Sequence, residues 1–276
     1  MALNFRDYSA DQVEAARSVL LELVQLLGEY REDIVVVGGF VPQLILPAGP
    51  GLHVGSIDVD LALNHRTLRE AEYASIQALL SRRSYQKSPR QPFIFHRTVV
   101  VNGNAINVEV DLLAGGYEGT GPSHRTQPVH EGRARKARGC DLAFDLYVET
   151  EIEGELPEGG RDKARIRVSS IVAFLVMKGM ALHDRLKEKD AWGIYFTVTN
   201  YPGGLDALAE EIRPHLGRRL VREGLHKIVE KFASPERMGP KSVADFEDIQ
   251  DRDERAVRTR DAYEPVSYLL SALGAR

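Results

Sequence analysis

Cysteine is almost missing: Cys140 stands alone in the chain. A single thiol excludes an intramolecular disulfide framework and any zinc site built on several thiolates, and a reducing cytoplasm is the expected compartment. Nothing surrounding it in the sequence marks Cys140 as a low-pKa nucleophile, so it reads as a structural residue. Long apolar runs are missing too. No uncharged stretch approaches the roughly 20 residues that span a bilayer, and the opening MALNFRDYSADQVEAARSVL has neither the positive nor the apolar region of a secretion signal, so no membrane partner is expected. An excess of positive charge is also lacking: 36 Lys and Arg against 40 Asp and Glu leave a net charge of −4. That excludes a globally basic nucleic-acid coat, and any contact with RNA must be a local patch. The histidines are scattered, without metal-ligand spacing of the HExxH kind, and Trp192 reads as a core residue. What remains, 43% hydrophobic and 28% charged over 276 residues, describes a chain expected to be soluble and to fold as two lobes.

Periodicity assigns the elements. Ser9 is placed to cap a helix in which Val13, Ala16, Leu20, Leu23, Val24 and Leu27 recur at steps of three and four, with Gly28 to close it. IVVV then forms a strand that stops at Gly38 and Gly39, and a helix follows with Pro42 in its first turn. After the breaker PAGPG, residues 57–63 alternate apolar and acidic, the period of a strand. Residues 68–80 read as a helix. The runs 93–101 and 105–113 read as a hairpin about Asn102, Gly103 and Asn104, since Asn-Gly between apolar runs is the strongest short hairpin signal. Strands are expected at 141–150 and 164–168, around LPEGG. Beyond Ser169 the period becomes helical, with helices expected over 171–187, 190–198, 205–216, 220–232 and 253–273. The boundary falls near Val168, giving a mixed α/β lobe at residues 1–168 and a helical lobe at 169–276.

The chemistry concentrates in the first lobe. A strand sets residues i and i+2 on one face about 7 Å apart, so Asp58 and Asp60 can reach the same cation or cation pair. A third carboxylate on a neighbouring strand would complete the hard oxygen set that Mg²⁺ prefers. Asp111 and Glu109 both face the right way, and alternation leaves the third position open between them. Two metals roughly 3.5 to 4 Å apart would clamp the attacking and leaving oxygens of an in-line phosphoryl displacement. Gly38 and Gly39 leave room for backbone N–H groups to approach phosphate, the following helix adds its positive end, and Ser56 can donate a hydrogen bond to the same phosphates.

The motifs GG, SIDVDLAL and VEVDLL together resemble the nucleotidyltransferase superfamily with the DNA polymerase β-like core. Within it the likeness is to the AbiEii/AbiGii-like nucleotidyltransferase toxins of type IV toxin–antitoxin and abortive-infection systems. The stretch VSSIVAFLVMKGMALHDRLKEKDAWGIYF is similar to that group's helix with Lys, Ala-Leu, Arg and then Lys-Asp. The resemblance implies an α+β chain: a polymerase β-like core, a mixed sheet flanked by helices, as the catalytic domain at residues 1–168, then an α-helical domain at 169–276 that completes the nucleotide and acceptor site. It also favours Asp111 over Glu109, because VEVDLL carries the family-like apolar flank. It implies a transferase in which Asp58, Asp60 and Asp111 bind Mg²⁺, or Mn²⁺, and Gly38, Gly39, Ser56 and Lys178 hold an NTP such as ATP. Arg185 would support the site, and Asp190 would serve as a further polar or acid/base residue. The acceptor it implies is RNA, a tRNA 3′ end, and the partner a cognate antitoxin. Helical geometry is compatible with this, because Lys178 and Arg185, at i and i+7, differ by only about 20° around a helix. The interval from Gly39 to Asp58 is longer than the family's, and PAGPGLHVG is expected to fill the excess as a surface loop, which costs little free energy.

Two other readings use the same residues differently. An antibiotic-type nucleotidyltransferase would keep the triad and read a small acceptor with acids such as Glu210, Glu211, Asp245, Glu247 and Asp248. A non-catalytic nucleotide- or partner-binding module would have no chemical reason to keep the acids at all three positions. The basic stretch His124, Arg125, His130, Arg133, Arg135, Lys136 and Arg138 reads either as a solvated loop or as a patch for an RNA backbone.

Overall fold

The computed structural model describes residues 4–47, 53–115, 126–129 and 132–275. The chain divides into two compact units, one made of residues 8–45 and 55–170, the other of residues 171–276 with the described parts of 1–7 and 46–54. Among the described residues no helix is long and apolar enough to cross a membrane.

The first unit is α+β. Helix α1 (Ala10–Leu26) starts where the sequence predicts: Ser9 accepts from Gln12 N–H while the Gln12 side chain accepts from Ser9 N–H, a reciprocal capping box. Strand β1 (Ile34–Val37) leads through a 3-10 turn (Gly38–Phe40) into the short helix α2 (Val41–Ile45). Next come β2 (Asp58–Leu63), α3 (Glu70–Arg82), the two-residue β3 (Gln86–Lys87), β4 (Ile94–Val101) and β5 (Asn104–Ala114). Asn102 and Gly103 both take φ values of +51° and +82° at the β4–β5 turn, as the Asn-Gly signal requires. The unit closes with β6 (Thr126–Val129), β7 (Gly132–Lys136), α4 (Leu142–Asp145), β8 (Tyr147–Glu155) and β9 (Arg161–Ser169).

The nine strands form one mixed sheet, ordered β3-β4-β5-β2-β1-β9-β8, with β7 joined to β5 and β6 to β7. Strands β2 and β5 run parallel, as do β1 and β9, while β1–β2, β4–β5 and β8–β9 are antiparallel. Alternation divides the faces. Val36, Val59, Leu61, Val108 and Val110 are buried on the face that α1 covers, and Asp58, Asp60, Glu109 and Asp111 lie on the other. A cavity of about 30 Å³ between α1 and the sheet is lined by Leu23, Val24, Leu27, Ile34, Val36 and Leu61, and so lies on the apolar face, away from the acids.

Two expectations for this unit change. Residues 141–145 form a turn of helix rather than the start of a strand, because Gly139 adopts φ +88° and successive N–H groups bond back three residues. The basic stretch, read as loop, contains the strands β6 and β7; its alternation is too short and too charged to show as a periodic pattern. His124, Arg125 and His130 lie outside the described residues, as does most of PAGPG. The described residues between α2 and β2 form no regular element.

The second unit is helical: α5 (Ile171–Arg185), α6 (Glu188–Asn200), α7 (Gly204–Ile212), α8 (Arg219–Lys231), α9 (Met238–Phe246) and α10 (Arg252–Ala272). Helices α5 and α8 cross where Gly179 meets Gly224; a Cβ on Gly179 would stand 2.5 Å from the Gly224 carbonyl oxygen, so only hydrogen fits. The sequence gives no sign of α9, whose Gly239 and Pro240 read as breakers. Both sit in its first turn, where a missing N–H costs no helical hydrogen bond. Residues near the N-terminus join this unit through aromatic packing: Phe5 meets Trp192 and Phe246 edge-on at 6.2 Å, and His53 packs on Trp192 and Phe196 at 5.2 and 4.9 Å. Trp192, 4% exposed, is a core residue as expected.

Candidate functional site

Strand register brings the predicted acids together. Across the parallel β2–β5 pair Asp60 lies opposite Asp111 and Asp58 opposite Glu109. The two β5 acids differ in depth: Asp111 is 4% exposed, whereas Glu109 is exposed to solvent. Asp60 also faces the end of β1, being the antiparallel partner of Val37. The next residue, Gly38, has φ +71°, and a Cβ built there would fall 1.8 Å from Asp60 Oδ2. The carboxylate thus fills the space that a side chain at 38 would need, which is the local reason for glycine at that position.

Each acid has a defined neighbour. The Ser56 hydroxyl, fully buried, donates to Asp58 Oδ1 at 2.6 Å. Its proton therefore orients a carboxylate, where the sequence reading had it directed to phosphate. Arg135 on β7 donates from Nη1 to Asp111 Oδ2 at 2.8 Å, while Asp111 Oδ1, itself buried, has no hydrogen-bond partner among the described residues. Burial pushes the Asp111 carboxyl up to about 6; Arg135 opposes that shift, and the charges of Glu109 and Asp58 add to it. The helix after Gly-Gly is shorter than the sequence suggests, five residues, so backbone amides rather than a helix dipole are what the turn offers an anion.

Lys178, Arg185 and Asp190 form a second cluster, within the helical unit. Lys178 Nζ donates to Asp190 Oδ1 at 2.7 Å, and Arg185 grips the same carboxylate from Nε at 2.7 Å and from Nη2 at 3.0 Å. Helix α5 ends at Arg185, Leu186 turns the chain with φ +52°, and α6 starts at Glu188, so Asp190 is folded back beneath Arg185. Asp190 is 1% exposed, a burial that would raise its pKa, yet the two cations hold it far below the usual carboxylate range. It is a fixed anion that orients Lys178 and Arg185. His53 in the same unit is held neutral, pushed down to about 3 by burial and then by Lys189 and Lys178.

The acids that a small-acceptor pocket would draw on are engaged elsewhere. Glu247 accepts from Trp192 Nε1 and pairs with Arg258, Asp245 pairs with Arg255, Asp248 with Arg6, Glu210 with Arg213, and Glu211 accepts from the Tyr201 hydroxyl. Sequence reasoning named Arg135 only as one cation of a basic run. Its place beside Asp111 depends on the register of β7, for which the sequence carries no signal.

The donor chemistry of Asp58, Asp60 and Asp111 suits a hard divalent cation: the oxygens share one face, and Asp111 Oδ1 is an orphaned buried acceptor. With Asp58 turned to Ser56 and Asp111 to Arg135, no three His, Cys, Asp or Glu side chains among the described residues converge as a closed metal-holding group.

No family model and no curated protein matches the chain. Two solved structures from Helicobacter pylori align over most of its length. JHP933 is 13% identical over 96% of this chain and 94% of its own, with a TM-score of 0.40. A second, described as a candidate nucleotidyltransferase, is 12% identical over 96% of this chain and 98% of its own, also with a TM-score of 0.40. At that score neither likeness bears on what this chain does.

Proposed function

We propose that this chain is a nucleotidyltransferase that moves a nucleoside monophosphate from an NTP to an acceptor hydroxyl, with pyrophosphate leaving. The observation that carries the reading is the juxtaposition of Asp60 with both Asp111 and Gly38, at the Gly38–Gly39 turn that ends β1. Asp58, Asp60 and Asp111 would hold Mg²⁺ or Mn²⁺, which when bound offsets charge on the transferring and leaving oxygens.

The chain's own residues supply the rest. Gly38 and Gly39 present backbone to the triphosphate, and Ser56 fixes the rotamer of Asp58 through its 2.6 Å hydrogen bond. Asp111, 4% exposed and set opposite Asp60, is the carboxylate we assign to help deprotonate the acceptor hydroxyl. Lys178, oriented by Asp190, is the cation we assign to phosphate, and Arg185 steadies Asp190.

RNA as the acceptor, a tRNA 3′ end in particular, and an antitoxin as the partner are parts of this reading supported by the motif resemblance alone. The test is incubation of the purified chain and of its Asp60→Ala variant with each α-³²P-labelled NTP, Mg²⁺ and total RNA, resolved on a gel beside a protein-only lane. Label on a tRNA-sized band, reduced at least about 100-fold by Asp60→Ala, is the expected result. Label on neither RNA nor protein removes the RNA acceptor. Absence of pyrophosphate release across a panel of small acceptors as well would leave a binding module without turnover.

A further inference from the structure

Strand β5 changes partners along its length. Its residues up to Asp111 pair with β4, which begins at Ile94 opposite Asp111; past that point the vacated edge is taken by β7, with Arg135 opposite Leu113. Leu113 is two residues beyond Asp111, so Arg135 lies on the acid's face of the sheet and its guanidinium reaches back to Oδ2. The pair is asymmetric. The Arg135 side chain is 40% exposed, against 6% for Asp111, and it satisfies only one of the two carboxylate oxygens.

The opposite face of the same sheet shows what a fixed pair looks like. Arg97 and Glu22 have side chains 10% and 9% exposed; both Glu22 oxygens accept from Arg97, and the Tyr85 hydroxyl adds a third bond at 2.7 Å. Neither partner there can leave without stranding a buried charge. Arg135, its side chain 40% exposed, has room to turn outward once another cation takes over the charge of the buried Asp111.

We propose that Arg135 is a displaceable internal counter-ion, holding Asp111 while the carboxylates are free of metal and turning to solvent when a divalent cation takes that carboxylate. The proposal rests on the reading of Asp58, Asp60 and Asp111 as the metal-binding acids. It makes Arg135 a positioning residue that sets the affinity of the site: a guanidinium beside the third acid competes with the incoming cation and repels it.

Mn²⁺ binding to the full chain, followed at pH 8 by the electron paramagnetic resonance of the free ion, tests this without reference to turnover. Arg135→Gln should bind Mn²⁺ at least about tenfold more tightly than wild type, as removal of a neighbouring positive charge requires. Arg135→Lys, which keeps the charge, should stay near wild type, and Asp111→Asn should bind more weakly. A merely structural Arg135 gives the opposite sign, because its loss would loosen the site. Equal or weaker binding by Arg135→Gln, with Asp111→Asn still impaired, overturns the counter-ion and leaves the metal site standing. No saturable Mn²⁺ binding by any form overturns the metal site itself, and the counter-ion with it. Should Arg135→Gln not fold, the wild-type chain still decides: Mg²⁺ should move the Arg135 Nε–H resonance, assigned by its loss in Arg135→Lys, to that of a solvated arginine. A resonance unmoved at saturating Mg²⁺ overturns the proposal.

Discussion

Asp111 carries a consequence for pH. Its folded pKa, about 6, lies above the value near 3.9 of an aspartate in an unfolded chain. The folded state therefore binds this proton more tightly, and the stability linked to it is complete below about pH 4 and lost as pH rises through about 6. The loss is on the order of 2 to 3 kcal/mol. Because Asn does not titrate, Asp111→Asn should gain on wild type by that order between pH 4 and pH 7 in urea-unfolding midpoints; a constant gap would mean that Arg135 compensates the burial in full. Gly38 makes the second case at this scale. Its φ of +71° and the 1.8 Å approach to Asp60 leave no room for a methyl group, so Gly38→Ala should cost about 1 to 3 kcal/mol. The same variant should lower transfer by at least about 100-fold, since the displaced group is Asp60. Circular dichroism and label incorporation together separate the two effects.

Between elements, the α5–α6 corner is where charge has been buried at most risk. Asp190 is held ionised by Lys178 and Arg185, so the stability it lends is present above the ordinary aspartate range and is lost as pH falls below it. Asp190→Asn leaves Lys178, 8% exposed, without its counter-charge and should destabilise the chain by about 3 to 5 kcal/mol in chemical denaturation. A change below 1 kcal/mol would show that the two cations find other partners. Helix α1 is stabilised differently. Its Ser9–Gln12 capping box is local, worth about 1 kcal/mol, and legible three residues apart in the sequence.

For the whole molecule, the lone thiol offers a probe of the native state. Cys140 is fully buried, and burial, reinforced by the charges of Asp141, Asp60 and Asp111, raises its pKa well above the usual thiol range. Ellman's reagent at pH 8 should titrate no thiol in the native protein and one after urea unfolding, so the reaction reports global opening. Reaction of the native chain would place Cys140 in a region that opens locally, beside the acids. The net charge of −4 adds no attraction for a polyanion at this scale, which leaves RNA contact, in the proposed reading, to particular surfaces.

Local pattern was enough, by itself, to determine much of this protein. The cap of α1, the IVVV strand, the Asn-Gly hairpin and the alternation of Asp58 and Asp60 are each written within a few residues, because a helix or strand repeats at a fixed period and a turn needs particular backbone angles. Alternation also placed Glu109 and Asp111 on one face but could not rank them. Their depth depends on which strands flank β5, and register across the parallel β2–β5 pair set Asp111 opposite Asp60. Tertiary structure alone decided the partners of Ser56, Asp190 and Arg135. Ser56 spends its proton on Asp58, Asp190 is clamped between two cations, and Arg135 reaches Asp111 because β7 takes the edge that β4 leaves. Hydrogen-bond partners distant in sequence are chosen by packing, and packing has no period to read.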